Sequence, residues 1–110
     1  MYAFEQDVPI NATIYARITS GLDARLAAAG GTTPTGALLH IAIERADGHL
    51  SYLDLWESEE ACDRFAEEHL HPIVGPALAA AGIQVDGEPA RRPVKVIDVW
   101  GPAFPRPATV

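Results

Sequence analysis

The sequence predicts an α+β domain of order βαββαβ: one four-stranded antiparallel sheet with both helices on one face. Three observations lead there. Helical apolar stripes alternate with strand-like runs. An Asp47-Gly48 pair separates two of those runs, a hairpin signal. Two short echoes also divide the chain: Leu26-Ala-Ala-Ala-Gly30 recurs as Leu78-Ala-Ala-Ala-Gly82, and Asp54-Leu55-Trp56 as Asp98-Val99-Trp100. With 110 residues, 48% of them apolar, the chain suits one domain. Folding at this length hides roughly two-thirds of the unfolded surface. The expected division is a domain over 1–100 and a Pro-rich arm over 101–110.

Residues 2–8 read as the first strand, closed by Pro9, which has no N–H to donate. Asn11 is placed to cap a helix whose stripe is Ile14, Ile18, Leu22 and Leu26. Gly21 interrupts it and is expected to weaken or kink it, and Gly30-Gly31 end it. Residues 32–36 form a loop. Runs 37–46 and 49–57 are two strands joined by the two-residue Asp47-Gly48 turn. Ser58 caps the next helix, with Glu59 and Glu60 favourable at its positive end, and Ala61, Cys62, Phe65, Ala66 and His69 along one side. Pro72 starts a short helix over 72–81, disturbed by Pro76 and ended by Gly82. A polar loop over 84–93 precedes the last strand, 94–100. Two βαβ halves of this kind make the ferredoxin-like split βαβ plan, and right-handed crossovers put both helices on one sheet face.

Eight Lys and Arg against fifteen Asp and Glu leave a formal net charge of −7. Such a chain, with no basic cluster longer than Arg91-Arg92, lacks what neutralises phosphates and what an anionic membrane attracts, so neither nucleic acid nor membrane is an expected partner. One cysteine permits no intramolecular disulfide, and a reducing, cytoplasmic setting follows. No apolar run approaches the roughly 20 residues of a membrane span. Residues 1–9 carry Glu5 and Asp7 and no basic stretch, unlike a signal peptide.

A two-residue turn pairs Ala46 with His49, Ile43 with Tyr52, Ile41 with Asp54 and Leu39 with Trp56. That gives one face carrying Tyr52, Asp54 and Trp56, and another carrying Leu38, His40, Ala42, Leu53 and Leu55. A bulge in the hairpin would flip this assignment. Both faces are substantially apolar, and helices cover only one. A second copy packed sheet to sheet accounts for the other, so a two-fold homodimer is expected.

The run Tyr52-Leu-Asp-Leu-Trp56-Glu57-Ser58-Glu59-Glu60-Ala61, followed by Phe65 and His69, resembles the strand–W–E–S–x–E–A…H signature of dimeric α/β-barrel proteins. More narrowly, it is similar to the antibiotic-biosynthesis-monooxygenase-like group of small actinobacterial proteins. The resemblance implies two sheets closing into a barrel with helices outside, and a small-molecule pocket between sheet and helices of each subunit. Some members oxidise aromatic polyketides without metal or flavin, some bind haem, and many have no assigned activity. Trp56 matches the family's pocket tryptophan.

Each candidate residue carries two readings. Trp56 and Phe65 form the wall of a pocket for a small aromatic molecule, or pack the sheet–helix seam. His69 takes a phenolic or enolic proton, or meets carbonyls at a helix end. Tyr52 and Asp54 assist as acid or base in a partly desolvated setting, or Asp54 is held by a partner. His40 lines the barrel interior and binds substrate, or is a satisfied structural histidine. No spacing supports a metal, since His69 and His71 are two apart and no third ligand completes a set. Cys62 reads as a buried small hydrophobe. No cofactor is expected. The leading reading is a small-molecule-binding barrel, a cofactor-independent monooxygenase with His69 as proton acceptor. The alternatives are a non-catalytic binding or dimerisation module, and haem binding through His69 or His71.

Overall fold

A computed structural model describes residues 1–31, 33–84 and 87–104. The elements are β1 (Tyr2–Val8), α1 (Ala12–Ala28), β2 (Ala37–Glu44), β3 (Leu50–Trp56), α2 (Glu59–Phe65), a π-helical turn (Ala66–Leu70), α3 (His71–Ala80) and β4 (Arg92–Pro93). The strands run β2-β3-β1-β4 across one sheet, every neighbouring pair antiparallel. This is the α+β, ferredoxin-like plan that the sequence predicts.

The caps fall where the local chemistry puts them. The Asn11 side chain accepts from Ile14 N–H at 3.0 Å, and that of Ser58 from Ala61 N–H at 3.1 Å. The Leu-Ala-Ala-Ala-Gly echo closes both long helices in one way. Gly31 N–H reaches Leu26 O and Gly30 N–H reaches Ala27 O; Ile83 N–H reaches Leu78 O and Gly82 N–H reaches Ala79 O. Both glycines take positive φ, at +86° and +72°. Leu26 and Leu78 are both buried.

Gly21 does not interrupt α1, which runs unbroken through it. A Cβ there would stand 3.1 Å from Ile73 Cγ2, so its bareness lets α3 approach. Pro72 likewise does not end the preceding helical path. It has no N–H to offer the Glu68 carbonyl four residues back. The Arg25 guanidinium donates to that carbonyl at 2.9 Å instead, and the chain passes through the π turn into α3.

The hairpin departs from expectation. Gly48 N–H bonds Arg45 O and Arg45 N–H bonds His49 O, so the loop is Ala46-Asp47-Gly48, three residues with Gly48 at φ +83°. The added residue moves the register by one: Ala42 pairs with Tyr52, His40 with Asp54, and Ile41 with Leu53. A one-residue shift turns the β2 side chains over from Leu39 to Glu44, while a bulge between Ala37 and Leu39 leaves Ala37 opposite Trp56. His40 therefore shares the helix-facing side with Tyr52, Asp54 and Trp56, not the opposite side with Leu53 and Leu55. Leu39, Ile41 and Ile43 turn to the far side and stay 37%, 38% and 52% exposed.

The last strand is corrected as well. Pairing with β1 takes in Arg92–Pro93, within the expected polar loop, and Val94 N–H adds a bond to Ala3 O. Residues 95–100 are not strand. The expected arm over 101–110 lies outside the described residues beyond Phe104; Gly101 and Phe104 close a turn on each other.

The core lies between sheet and helices in two clusters. Val8, Ile10, Ile14, Ile18, Leu50 and Leu78 form one, and Phe4, Trp56 and Cys62 the other. No helix among the described residues is long and apolar enough to cross a membrane.

Candidate functional site

The corrected register puts four polar or aromatic side chains on the helix-facing side of the sheet. Asp54 stands on β3, 7% exposed, a carboxylate in the core. Burying such a charge is costly unless its oxygens are met by donors. Both are: His40 Nδ1 lies 2.5 Å from Oδ1, and Trp56 Nε1 donates to Oδ2 at 3.1 Å. On its other edge His40 Nε2 meets the Tyr15 hydroxyl at 2.8 Å. The result is a chain of hydrogen bonds, Tyr15–His40–Asp54–Trp56, running from a half-exposed end into the core. The Tyr52 ring leans edge-on against the His40 ring at 4.9 Å and lies 5.8 Å from Tyr15.

Electrostatics follow from burial. Desolvation, with Asp54 nearby, raises the Tyr15 phenol above its usual value. Desolvation, helped by Tyr15 and Asp54, raises Tyr52 further. Both remain neutral phenols at ordinary pH, so neither is a free phenolate base.

Beside Tyr52 opens a cavity of about 410 Å³ between the sheet, α1 and α3. Val8, Ile10, Ile18, Val74 and Leu78 give it apolar walls. Gln6, Tyr52, His71 and Glu88 supply its polar points. Gln6 is buried and donates from Nε2 to Pro89 O at 2.7 Å, tying the 87–89 segment over one side. His71 Nε2 lies 3.7 Å from Glu88 Oε2 at that side.

The sequence-predicted residues divide into two connected groups. Asp54, His40 and Trp56 are joined by hydrogen bonds, with Tyr52 in ring contact. Trp56, Phe65 and His69 form an aromatic row, with ring centroids at 5.4 Å and 6.1 Å. Trp56 belongs to both groups. Of the predicted site residues only Tyr52 is among those lining the cavity; Trp56 packs in the second core cluster with Cys62. His69 sits in the π turn, its Nδ1 buried without a hydrogen-bond partner among the described residues. Cys62 is buried, and desolvation pushes its thiol up to about 11.

Tyr15 and Gln6 escaped the sequence reading, though each left a signal. Tyr15 adjoins the Ile14 stripe of α1. Gln6 is the polar residue in the inward alternation Phe4, Gln6, Val8 of β1.

No family model matches the sequence, and no curated protein matches it. Among solved structures, the chain is similar to a candidate antibiotic biosynthesis monooxygenase from Deinococcus radiodurans. The TM-score is 0.53 and the identity 19%, covering 92% of this chain and 100% of that one. At that identity the likeness is one of fold, and it agrees with the ferredoxin-like plan described above.

Proposed function

We propose that this chain binds a small aromatic molecule in the cavity between sheet and helices and works as a homodimer. The cavity is the observation that carries the reading. About 410 Å³ of apolar-walled space, with a few polar groups, falls within the range that holds small ligands. A packing-only role would leave Tyr52 and its neighbours filling that space. The chemistry best suited to such a site is oxidation of an electron-rich phenol, in which loss of the phenolic proton lets the substrate itself give electrons to dioxygen. The fold likeness to a candidate monooxygenase supports this direction.

The homodimer reading rests on the other sheet face. Leu39, Ile41 and Ile43 make an exposed apolar row on β2, the kind of patch that soluble proteins cover. A second copy fits by two-fold self-complementarity. Sedimentation of the wild type should give twice the chain mass, and Ile43→Glu should shift it toward one.

The function test is binding followed by turnover. A hydroxylated anthraquinone should quench tryptophan fluorescence on binding, and Val74→Trp, which fills the cavity, should abolish the effect. Oxygen uptake with reduced, hydroxylated polycyclic phenols should depend on the protein in the same way. Binding that survives Val74→Trp, or no binding at all, overturns the reading.

A further inference from the structure

We infer that the ligand of the cavity carries a cationic amine beside its aromatic ring, received on the side where Gln6 and Glu88 stand. This inference rests on the cavity reading above and names the class of ligand.

Gln6 supplies an unmet acceptor. It lines the cavity from β1 and is only 6% exposed. A carbonyl only accepts, so the group 2.7 Å from Pro89 O is the Gln6 amide nitrogen. Oε1 is then left without a hydrogen-bond partner among the described residues. A buried acceptor in that state calls for a donor, and the cavity is the space that Gln6 adjoins. Glu88 adds charge on the same side, since it precedes the Pro89 that Gln6 holds and lines the cavity too. Its Oε1 accepts from Arg91 Nε at 3.3 Å and Nη2 at 3.2 Å. Its Oε2 has His71 Nε2 at 3.7 Å, beyond hydrogen-bond reach. The carboxylate is therefore fixed by one oxygen and open at the other.

The charge balance selects the ligand. Arg91 also donates to Asp63 at 2.6 Å and lies over the Phe4 ring, 5.2 Å from its centroid. One guanidinium thus serves two carboxylates, which leaves a negative charge in excess. Anchoring Arg91 does not require Glu88, because Asp63 is the nearer acceptor. Among the described residues no lysine or arginine lines the cavity. Tyr52 stays a neutral phenol, since burial raises it. A carboxylate on the ligand would meet Glu88 as a like charge, and a lone hydroxyl has one proton to give. An ammonium has three N–H donors and a positive charge, so it has donors for both Gln6 Oε1 and Glu88 Oε2. Val8, Ile18 and Val74 then hold the ring. The net charge of −7 draws the same class of ligand toward the chain.

The test compares three probes of one shape, 2-(aminomethyl)naphthalene, 2-(hydroxymethyl)naphthalene and 2-naphthoic acid, titrated by calorimetry at neutral pH. The amine should bind wild type about tenfold more tightly than the alcohol, the effect of one partly exposed charge-assisted hydrogen bond. The acid should bind most weakly. Glu88→Gln should remove the preference for the amine and leave the alcohol within about threefold of its wild-type affinity. Val74→Trp should abolish binding of the amine, which separates the cavity from attraction to an acidic surface. Equal or weaker binding of the amine, or a preference that Glu88→Gln leaves unchanged, overturns the inference and leaves the cavity reading intact. No binding by any probe, or binding that survives Val74→Trp, overturns the cavity reading and this inference with it. Should Glu88→Gln fail to fold by circular dichroism, the ranking on wild type decides alone.

Discussion

His40 and Asp54 face each other as register partners across β2 and β3, and their side chains meet with Nδ1 2.5 Å from Oδ1. The contact depends on a loop at the far end of the hairpin. With a two-residue Asp47-Gly48 turn, Asp54 would oppose Ile41 and the imidazole would lie on the other side of the sheet. Ala46, as the third loop residue, brings the pair together.

Removing the charge from that pair should be costly. Asp54→Asn keeps the shape but loses a charge-assisted bond and sets an amide against the His40 Nδ1–H or the indole N–H. A stability loss of about 1.5–3 kcal/mol is expected, read from urea unfolding curves with an unchanged slope. A loss near zero would mean that the carboxylate is not the acceptor for both donors.

Two glycines in the left-handed region should respond differently to alanine. Gly36 has φ +87°, and a Cβ there would stand 2.7 Å from the Ala61 Cβ; Gly48 has φ +83° with nothing within 4 Å. Both variants bear the left-handed penalty of about 1–2 kcal/mol. Gly36→Ala adds a clash between the turn that precedes β2 and Ala61 of α2, worth about 1 kcal/mol or more. Urea midpoints should therefore fall further for Gly36→Ala than for Gly48→Ala.

The Cys62 thiol should resist alkylation. Burial pushes it from 9.0 up to about 11, a thiolate population about 100-fold smaller at neutral pH. Iodoacetamide at pH 8 should label the native protein at least that much more slowly than the urea-unfolded chain, as followed by mass spectrometry. Rapid native labelling would contradict the burial of Cys62.

Acid should weaken the β1–β3 pairing through Asp7. Its carboxylate accepts from Ser51 Oγ at 2.8 Å and from Arg92, with Arg45 at 3.0 Å. The Ser51 bond first, then Arg92, holds it below its ordinary value of 3.8. A carboxyl lowered by folding adds stability above its unfolded pKa, and that contribution fades as pH drops through the lower folded value. Stability should thus decline with acidification below pH 3.8, and Asp7→Asn should flatten that part of the profile. Unfolding curves across the acid range provide the check.

Local chemistry was legible in the residues themselves. Asn11 and Ser58 announced helix starts, because a side-chain oxygen next to unpaired N–H groups acts at short range. The two Leu-Ala-Ala-Ala-Gly runs announced matching helix ends, since glycine enters the left-handed region freely. The grouping of Tyr52, Asp54 and Trp56 on one face of β3 followed from strict alternation. The order of elements followed from those signals together.

Tertiary structure decided what depends on partners. The side to which β2 turns was set by one loop residue, because a strand's period of two converts a single-step shift into a full reversal. Residues 94–100 have strand-like composition, yet the fourth strand formed at Arg92–Pro93, because strand propensity describes fit to a pleated surface and not which neighbour is available. Gly21 became a contact point and not a break because Ile73 of α3 lies against it. The meeting of Tyr15, His40 and Asp54 joins α1, β2 and β3 across 25 and 14 residues of chain. Short-range pattern carries no record of such a meeting, since it exists only once helix and sheet have closed on each other.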